Sequence, residues 1–206
     1  PDIRSVVITG EGAHFCAGSD VQRLKAHRDQ PAETQAQVIE SLHNWMEAIR
    51  TFPKPIIAAV NGLAIGGGVE LTLLCDLTFA AEDATFAFGE VKRGLMPGNG
   101  GTQRLSRRVG TARALDMILT GRTVSAEEAL AMGLVEYVVP AKELLNQAIQ
   151  LAEQMAANAP IAVRSAKAAI HRGADLTLAD GIRLEQDLAS FLYNTEDAKE
   201  GPKAFL

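Results

Sequence analysis

The sequence predicts an α/β fold followed by a purely helical region, on three observations. Short aliphatic or β-branched runs alternate with helical patterns as far as residue 140. From Ala141 onward only helical patterns remain. Between these, the run Ala58–Asp76 joins a strand pattern to a helical one through Gly66, Gly67 and Gly68. The expected division is an α/β core over 1–140 and a helical region over 141–206.

Taken in order, Ser5–Thr9 (SVVIT) has the β-branched content of a strand buried on both faces. Gly10 and Gly12 break it. They do not form a dinucleotide fingerprint, because Phe15 stands where the third glycine is needed. Phe15–Val21 is a second tight turn, expected to lead into a helix capped by Ser19 or Asp20. Lys25–Thr34 is polar, contains Pro31 and is expected as a surface loop or frayed helix, a kind of segment that often covers a ligand. Gln35–Arg50 has helical periodicity, with Val38, Ile39, Leu42, Trp45, Met46 and Ile49 on one face. Pro53 and Pro55 end it.

Ile56–Val60 reads as a buried strand and Val69–Cys75 as an apolar helix. Strands are expected at Leu77–Ala81 and Thr85–Phe88. The glycine-rich turn 94–101 opens a helix over Thr102–Val109, with further helices at Thr111–Leu119 and Ser125–Met132. Ser125 and Glu128 have the spacing of a capping box, and Gly121 and Gly133 that of C-caps. Leu134–Val139 is a strand stopped by Pro140. Helices over 142–158, 160–172 and 178–193 complete the chain, with Pro160 in the first turn of its helix.

Composition narrows the functional classes. The chain has 206 residues, 47% of them hydrophobic and 5% aromatic, which suits a well-filled aliphatic core. A net charge of −5 argues against nucleic acid as the main partner. Cys16 and Cys75 sit in apolar surroundings and read as reduced, buried thiols of an intracellular protein. His14, His27, His43 and His171 lack ligand spacing, so no metal site is expected. No apolar run is long enough to span a bilayer, and no phosphate-loop lysine motif occurs. The start, Pro1-Asp2-Ile3-Arg4, leads straight into a strand and has no signal pattern, as if the chain were entered partway.

Two acids stand out by their surroundings. A strand that ends in glycines and opens a helix leaves bare N–H groups where an oxyanion can reach them. With Gly67 in the first helical turn, Glu70 is three residues on and projects from the same face. Glu90 stands between Phe86-Ala87-Phe88-Gly89 and Val91. An acid in such a setting either pairs with a cation, for which Arg93, Arg104 and Arg107 are available, or holds a raised pKa suited to acid–base chemistry. The basic residues Lys92, Arg93, Arg104, Arg107, Arg108 and Arg113 read as a solvated face or a subunit contact, with phosphate binding the alternative. Cys16 and His14 would point to the same side of an extended chain without being fixed in contact, which is weak ground for a nucleophile.

Together these stretches resemble the enoyl-CoA hydratase/isomerase (crotonase) family. The resemblance is carried by FCAGSDV at 15–21, KPIIAAVNGLAIGGGVELTLLCDLTFAAEDATF at 54–86 and GEVKRGLMPGNGGTQRL at 89–105. It continues through LTGRTVSAEEALAMGLVEYVV at 119–139 and EDAKEGPKAFL at 196–206. It implies a spiral of ββα units with a C-terminal helical trimerisation region, assembled as a homotrimer or a dimer of trimers. It also implies an acyl-CoA thioester substrate, with CoA entering as part of that substrate and no separate cofactor.

By motif position, the resemblance assigns the oxyanion hole to the N–H groups of Ala17 and Gly67. It assigns substrate contacts to Ala17, Gly18, Ser19, Asp20 and Gly67, and the acid–base pair to Glu70 and Glu90. Retention of both acids points to water addition to a trans-2-enoyl-CoA; an enoyl-CoA isomerase and a catalytically silent acyl-CoA binder are the alternatives. Three positions depart from the family pattern: Gly89 replaces a proline, Ser19 an alanine or arginine, and Asn99 a small residue expected near substrate. The loop at 25–34 and the residues after Lys92 are expected to shape the acyl pocket. The family's N-terminal strand and helix precede the point where this sequence starts, and its basic C-terminal tail follows the point where it ends. A longer native chain or a truncated member is expected accordingly. The class implies a bacterial cytoplasmic location, with the mitochondrial matrix as the alternative.

Overall fold

A computed structural model describes residues 2–205 apart from 21, 23–25 and 27–29. Two four-stranded sheets carry the fold. The first has the order β1 (Val6–Thr9), β3 (Ile56–Val60), β5 (Leu77–Ala81), β8 (Tyr137–Val139). The second has the order β2 (His14–Cys16), β4 (Leu63–Ile65), β6 (Thr85–Ala87), β7 (Thr123–Ser125). β3 pairs in parallel with β5, and β5 with β8, while β7 runs antiparallel to β6. The architecture is mixed α/β, as the sequence predicts.

The first sheet holds much of the core. Every residue of β3 is buried, and β5 is buried from Thr78 to Ala81. That explains their predominantly apolar runs: a central strand has no solvent face that calls for alternating polar residues. β1 has the same β-branched character but lies at the sheet edge, with Val6, Val7 and Ile8 half-buried and Thr9 exposed. Burial on both faces, expected for Ser5–Thr9, is thus corrected.

The second sheet is where sequence patterning fails. β2, β4 and β7 have three residues each. Such strands are too short to display a period, and none of the three is expected from sequence. The strand expected over Leu134–Val139 contracts to Tyr137–Val139. Leu134 and Val135 are buried outside it, and the Glu136 carboxylate accepts the N–H of Thr78 at 2.7 Å.

Most helices follow the sequence closely, although the first begins at Ala32, inside the expected loop, and the last, Glu196–Phe205, lies beyond the expected ones. α1 spans Ala32–Arg50, α2 Gly67–Thr72, α3 Gly101–Val109, α4 Thr111–Thr120 and α5 Ala126–Met132. α6 spans Leu144–Ala157, α7 Pro160–Gly173, α8 Leu178–Leu192 and α9 Glu196–Phe205. Ser125 caps α5 by accepting the N–H of Glu128 at 3.2 Å, as its spacing predicts. On α1, Met46 is buried, whereas Trp45 is 41% exposed despite its expected place on the apolar face. The side chain of Ile39 lies outside the described residues, as do residues 25 and 27–29 of the expected surface loop. Cys75 is buried, while Cys16 is half-buried rather than buried, and neither is in a disulfide.

The chain forms two compact units. The larger comprises Val7–Thr51 and Ile56–Ile149, and the smaller Pro1–Val6, Phe52–Pro55 and Gln150–Leu206. In the smaller unit α7 and α8 pack together, with the α-carbons of Gly173 and Gly181 at close approach. Among the described residues no helix is long and apolar enough to cross a membrane.

Candidate active site

Three short parallel strands of the second sheet build the site. β2 ends at Cys16, β4 at Ile65 and β6 at Ala87; Cys16 pairs with Ala64, and Ile65 with Ala87. The segments that leave them, 17–18, 66–67 and 88–90, therefore emerge along one edge of the sheet. Carboxyl ends of parallel strands are where α/β sheets present loops to ligands. The N–H of Gly66 donates to Ala87 O at 2.8 Å, tying two of these exits together. Gly18 and Gly67 pack backbone to backbone: a Cβ on Gly18 would stand 3.1 Å from Gly67 N and 2.8 Å from Ile65 O.

The residues singled out from sequence fall into this region of the larger unit. Ala17, Ser19 and Asp20 are exposed, and Gly18 and Gly67 are half-buried. Gly67 is the first residue of α2, with Glu70 three residues on. The Asp20 carboxylate accepts the N–H of Gln22 at 2.8 Å, while most of the helix expected after it lies outside the described residues. A Cβ on Gly67 would stand 3.9 Å from Ser19 N, so the Ser19 amide lies beside Gly67. The motif singles out Ala17 as donor; this nearness of Ser19 was not legible in it.

Glu70 is 2% exposed. Main-chain donors hold it. Its Oε1 accepts two backbone N–H groups, from Asn99 at 2.8 Å and Gly101 at 2.9 Å. Two donors on one buried oxygen satisfy it and set the direction of the carboxylate. The loop closes tightly: a Cβ on Gly101 would stand 2.8 Å from both Phe88 Cε1 and Pro97 Cβ, and 2.9 Å from Glu70 Oε1. Asn99, expected to touch substrate, thus has a backbone role at Glu70. The glycine-rich turn is visible in sequence, but its target is not.

Glu90 opens a 3₁₀ turn, Glu90–Arg93, directly after β6. Its Oε2 is buried and has no hydrogen-bond partner among the described residues. Burial pushes its carboxyl above the usual carboxylate range; its own backbone N–H opposes this, the negative charge of Glu70 adds to it, and Arg93 opposes it. The two acids therefore differ: one carboxylate is held by backbone donors, and the other has an unpartnered oxygen and a raised proton affinity.

The basic residues do not converge on a shared anion site. Lys92 donates to Gly121 O, Arg93 to Gly89 O, Arg104 to Asn99 O and Arg107 to Gln103 O. Arg108 pairs with Glu136, and Arg113 donates to Met132 O. Each has its own local partner, against the reading as a phosphate-binding cluster. Among the described residues no group of three His, Cys, Asp or Glu side chains could hold a metal ion.

A family profile described as enoyl-CoA hydratase/isomerase matches residues 1–206. The chain belongs to the enoyl-CoA hydratase/isomerase family. It is 40% identical to a mitochondrial enoyl-CoA hydratase of Pongo abelii over 206 residues, which is 100% of this chain and 69% of that one. It is 42% identical to the 2,3-dehydroadipyl-CoA hydratase of Escherichia coli over 203 residues, or 97% of this chain and 76% of that one. The crystal structure of an enoyl-CoA hydratase from Bacillus anthracis superposes with a TM-score of 0.91 at 43% identity, covering 98% of this chain and 78% of that chain. Membership confirms the family resemblance of the sequence motifs, and the relatives named above are enoyl-CoA hydratases.

Proposed function

We propose that this enoyl-CoA hydratase/isomerase family member is a hydratase. It adds water across the double bond of a trans-2-enoyl-CoA to give a 3-hydroxyacyl-CoA. The observation that carries the reading is the contrast between Glu70 and Glu90 within one site. An acid–base addition needs one carboxylate able to take a proton from water and one carboxyl able to give a proton up.

In this reading Glu70, oriented through Oε1 by Asn99 and Gly101, leaves Oε2 to accept a proton from the attacking water. The water oxygen bonds to Cβ of the substrate while the Cα=Cβ pair moves toward the thioester carbonyl. Glu90, whose burial favours the protonated form, delivers a proton to Cα. The enolate-like oxygen in between is met by backbone N–H groups. One is that of Gly67; the second comes from the turn at Ala17, Gly18 and Ser19, with Ala17 favoured by motif position and Ser19 by nearness to Gly67. Loss of one such donor costs about 3–4 kcal/mol of barrier. Replacing the amide by an ester, at position 17 or at position 19, tells the two apart: only the true donor lowers kcat on that scale.

Substrate contacts follow at Ala17, Gly18, Ser19, Asp20 and Gly67, CoA is part of the substrate, and no separate cofactor takes part. A homotrimer or dimer of trimers is supported by apolar side chains exposed in the smaller unit, such as Leu178 (82%) and Tyr193 (81%). The reaction class fits a bacterial cytoplasm or a mitochondrial matrix.

The deciding experiment follows crotonyl-CoA by loss of the conjugated thioester absorbance, with product mass, for wild type, Glu70→Gln and Glu90→Gln. Each variant is expected to lose about 10²–10⁴-fold in kcat and still bind the thioester. Double-bond migration without a hydroxyacyl product would identify an isomerase instead. Thioester binding without turnover across enoyl lengths would overturn the enzyme reading.

A further inference from the structure

The loop that holds Glu70 is itself held by two side chains with no place in the chemistry above. Arg104, on α3, donates Nη1–H to Asn99 O at 3.0 Å. His43, on α1, has Nε2 3.2 Å from Gly98 O. A carbonyl only accepts, so this ring nitrogen is the donor. Gly98 C=O and Asn99 N–H belong to one planar peptide unit, whose two polar groups point in opposite directions. His43 therefore grips one end of the peptide whose other end grips Glu70 Oε1.

The next peptide, 99–100, is fixed at its C=O by Arg104 and lies between the two peptides whose N–H groups meet Glu70. The Arg104 guanidinium occupies the space where a side chain on Gly100 would lie: a Cβ there would overlap Nη1. Gly100 also has φ +93°, a left-handed conformation that suits glycine. Beside the loop lies a cavity of about 350 Å³ lined by His43, Met46, Glu47, Asn99, Gly100 and Arg104. Without its anchors the loop has space into which to relax.

We propose that His43 and Arg104 are positioning residues for Glu70, acting through peptides 98–99 and 99–100. The proposal rests on the hydratase reading for its kinetic consequence. Misplacing a reacting group by a fraction of an ångström to an ångström costs up to about 10²-fold in rate.

The test compares His43→Leu, His43→Gln, Arg104→Met and Arg104→Ala by steady-state kinetics on crotonyl-CoA, thermal melting and amide hydrogen exchange. His43→Leu and Arg104→Met are expected to lower kcat about 10–100-fold, with KM within about twofold of wild type. His43→Gln, which keeps a donor N–H, recovers most of the loss. Added guanidinium ion, at concentrations that leave wild type unchanged, raises the kcat of Arg104→Ala. Exchange quickens at the Asn99 and Gly101 amides but not along the rest of α3.

Unchanged kcat overturns the proposal. So does a loss of kcat with wild-type exchange at Asn99 and Gly101, or a loss that only tracks a fall in Tm and that neither glutamine nor guanidinium restores. If wild type itself hydrates no enoyl-CoA, the hydratase reading fails, and exchange at Asn99 and Gly101 alone decides whether His43 and Arg104 hold the loop.

Discussion

The Glu90 carboxylate lies against the α-carbon of Gly66: a Cβ on Gly66 would stand 2.5 Å from Glu90 Oε1 and 3.2 Å from its Cδ. Gly66 also carries φ +52° as the N-cap of α2. Gly66→Ala therefore strains the backbone and pushes Glu90 aside together. The expected result is loss of most hydration activity, with a fall in stability of about 1–3 kcal/mol. Kinetics beside denaturant unfolding checks it, and near-wild-type turnover would contradict the placement of Glu90.

Glu90→Gln has a pH-dependent effect on stability. The folded state raises the Glu90 pKa above its ordinary value of 4.5, chiefly through burial. Stability from such a group is complete below the ordinary value and is lost as pH rises through the raised one. Glutamine carries no charge to bury at any pH. The Tm of Glu90→Gln relative to wild type is thus expected to rise between pH 4 and pH 8. A difference that is flat or falls across this range would show that Glu90 is not held in a charge-disfavouring site.

Gly101→Ala strikes the other carboxylate. The added methyl would meet Phe88, Pro97 and the Glu70 carboxylate at 2.8–2.9 Å, and the N–H of residue 101 is one of two donors to Glu70. Overpacking at such a point costs about 1–3 kcal/mol. Activity is expected to fall further than the population of unfolded protein explains, because Glu70 loses its direction. Equal losses in activity and folded fraction would reduce Gly101 to a packing residue.

Arg122 supplies a contrast. It bridges Asp116 at 2.6 Å and Glu128 at 2.6 Å, and these carboxylates raise its proton affinity. The three side chains are nevertheless 35%, 46% and 42% exposed. Water and salt screen such a network, so Arg122→Ala is expected to cost less than about 1 kcal/mol, and less still in high salt. Denaturant melts at two ionic strengths measure this, and a large, salt-independent loss would contradict it.

How far the sequence reaches can be seen at particular residues. Ile56–Val60 and Leu77–Ala81 are legible because central strands are predominantly apolar. The Ser125 cap is legible because it is written within four consecutive residues, although the Glu128 carboxylate pairs with Arg122 instead of completing the capping box. Glu70 and Glu90 stand out as acids in apolar surroundings, and Gly67 follows from the glycine run before Glu70. All these signals are local, and local patterns survive in a linear string.

What tertiary structure alone decides is which distant residues meet. β2, β4 and β7 have no readable period, yet the register of β2 and β4 with β6 brings 17–18, 66–67 and 88–90 to one sheet edge. The partner of Glu70 is the backbone of Asn99 and Gly101, about thirty residues away, and a backbone N–H leaves no mark on residue identity. For the same reason His43 and Arg104 were invisible as holders of that loop. The sequence by itself determined the α/β class, the helices and the two acids. The fold decided how each acid is held, because that depends on long-range pairing and on main-chain hydrogen bonds common to every residue type except proline.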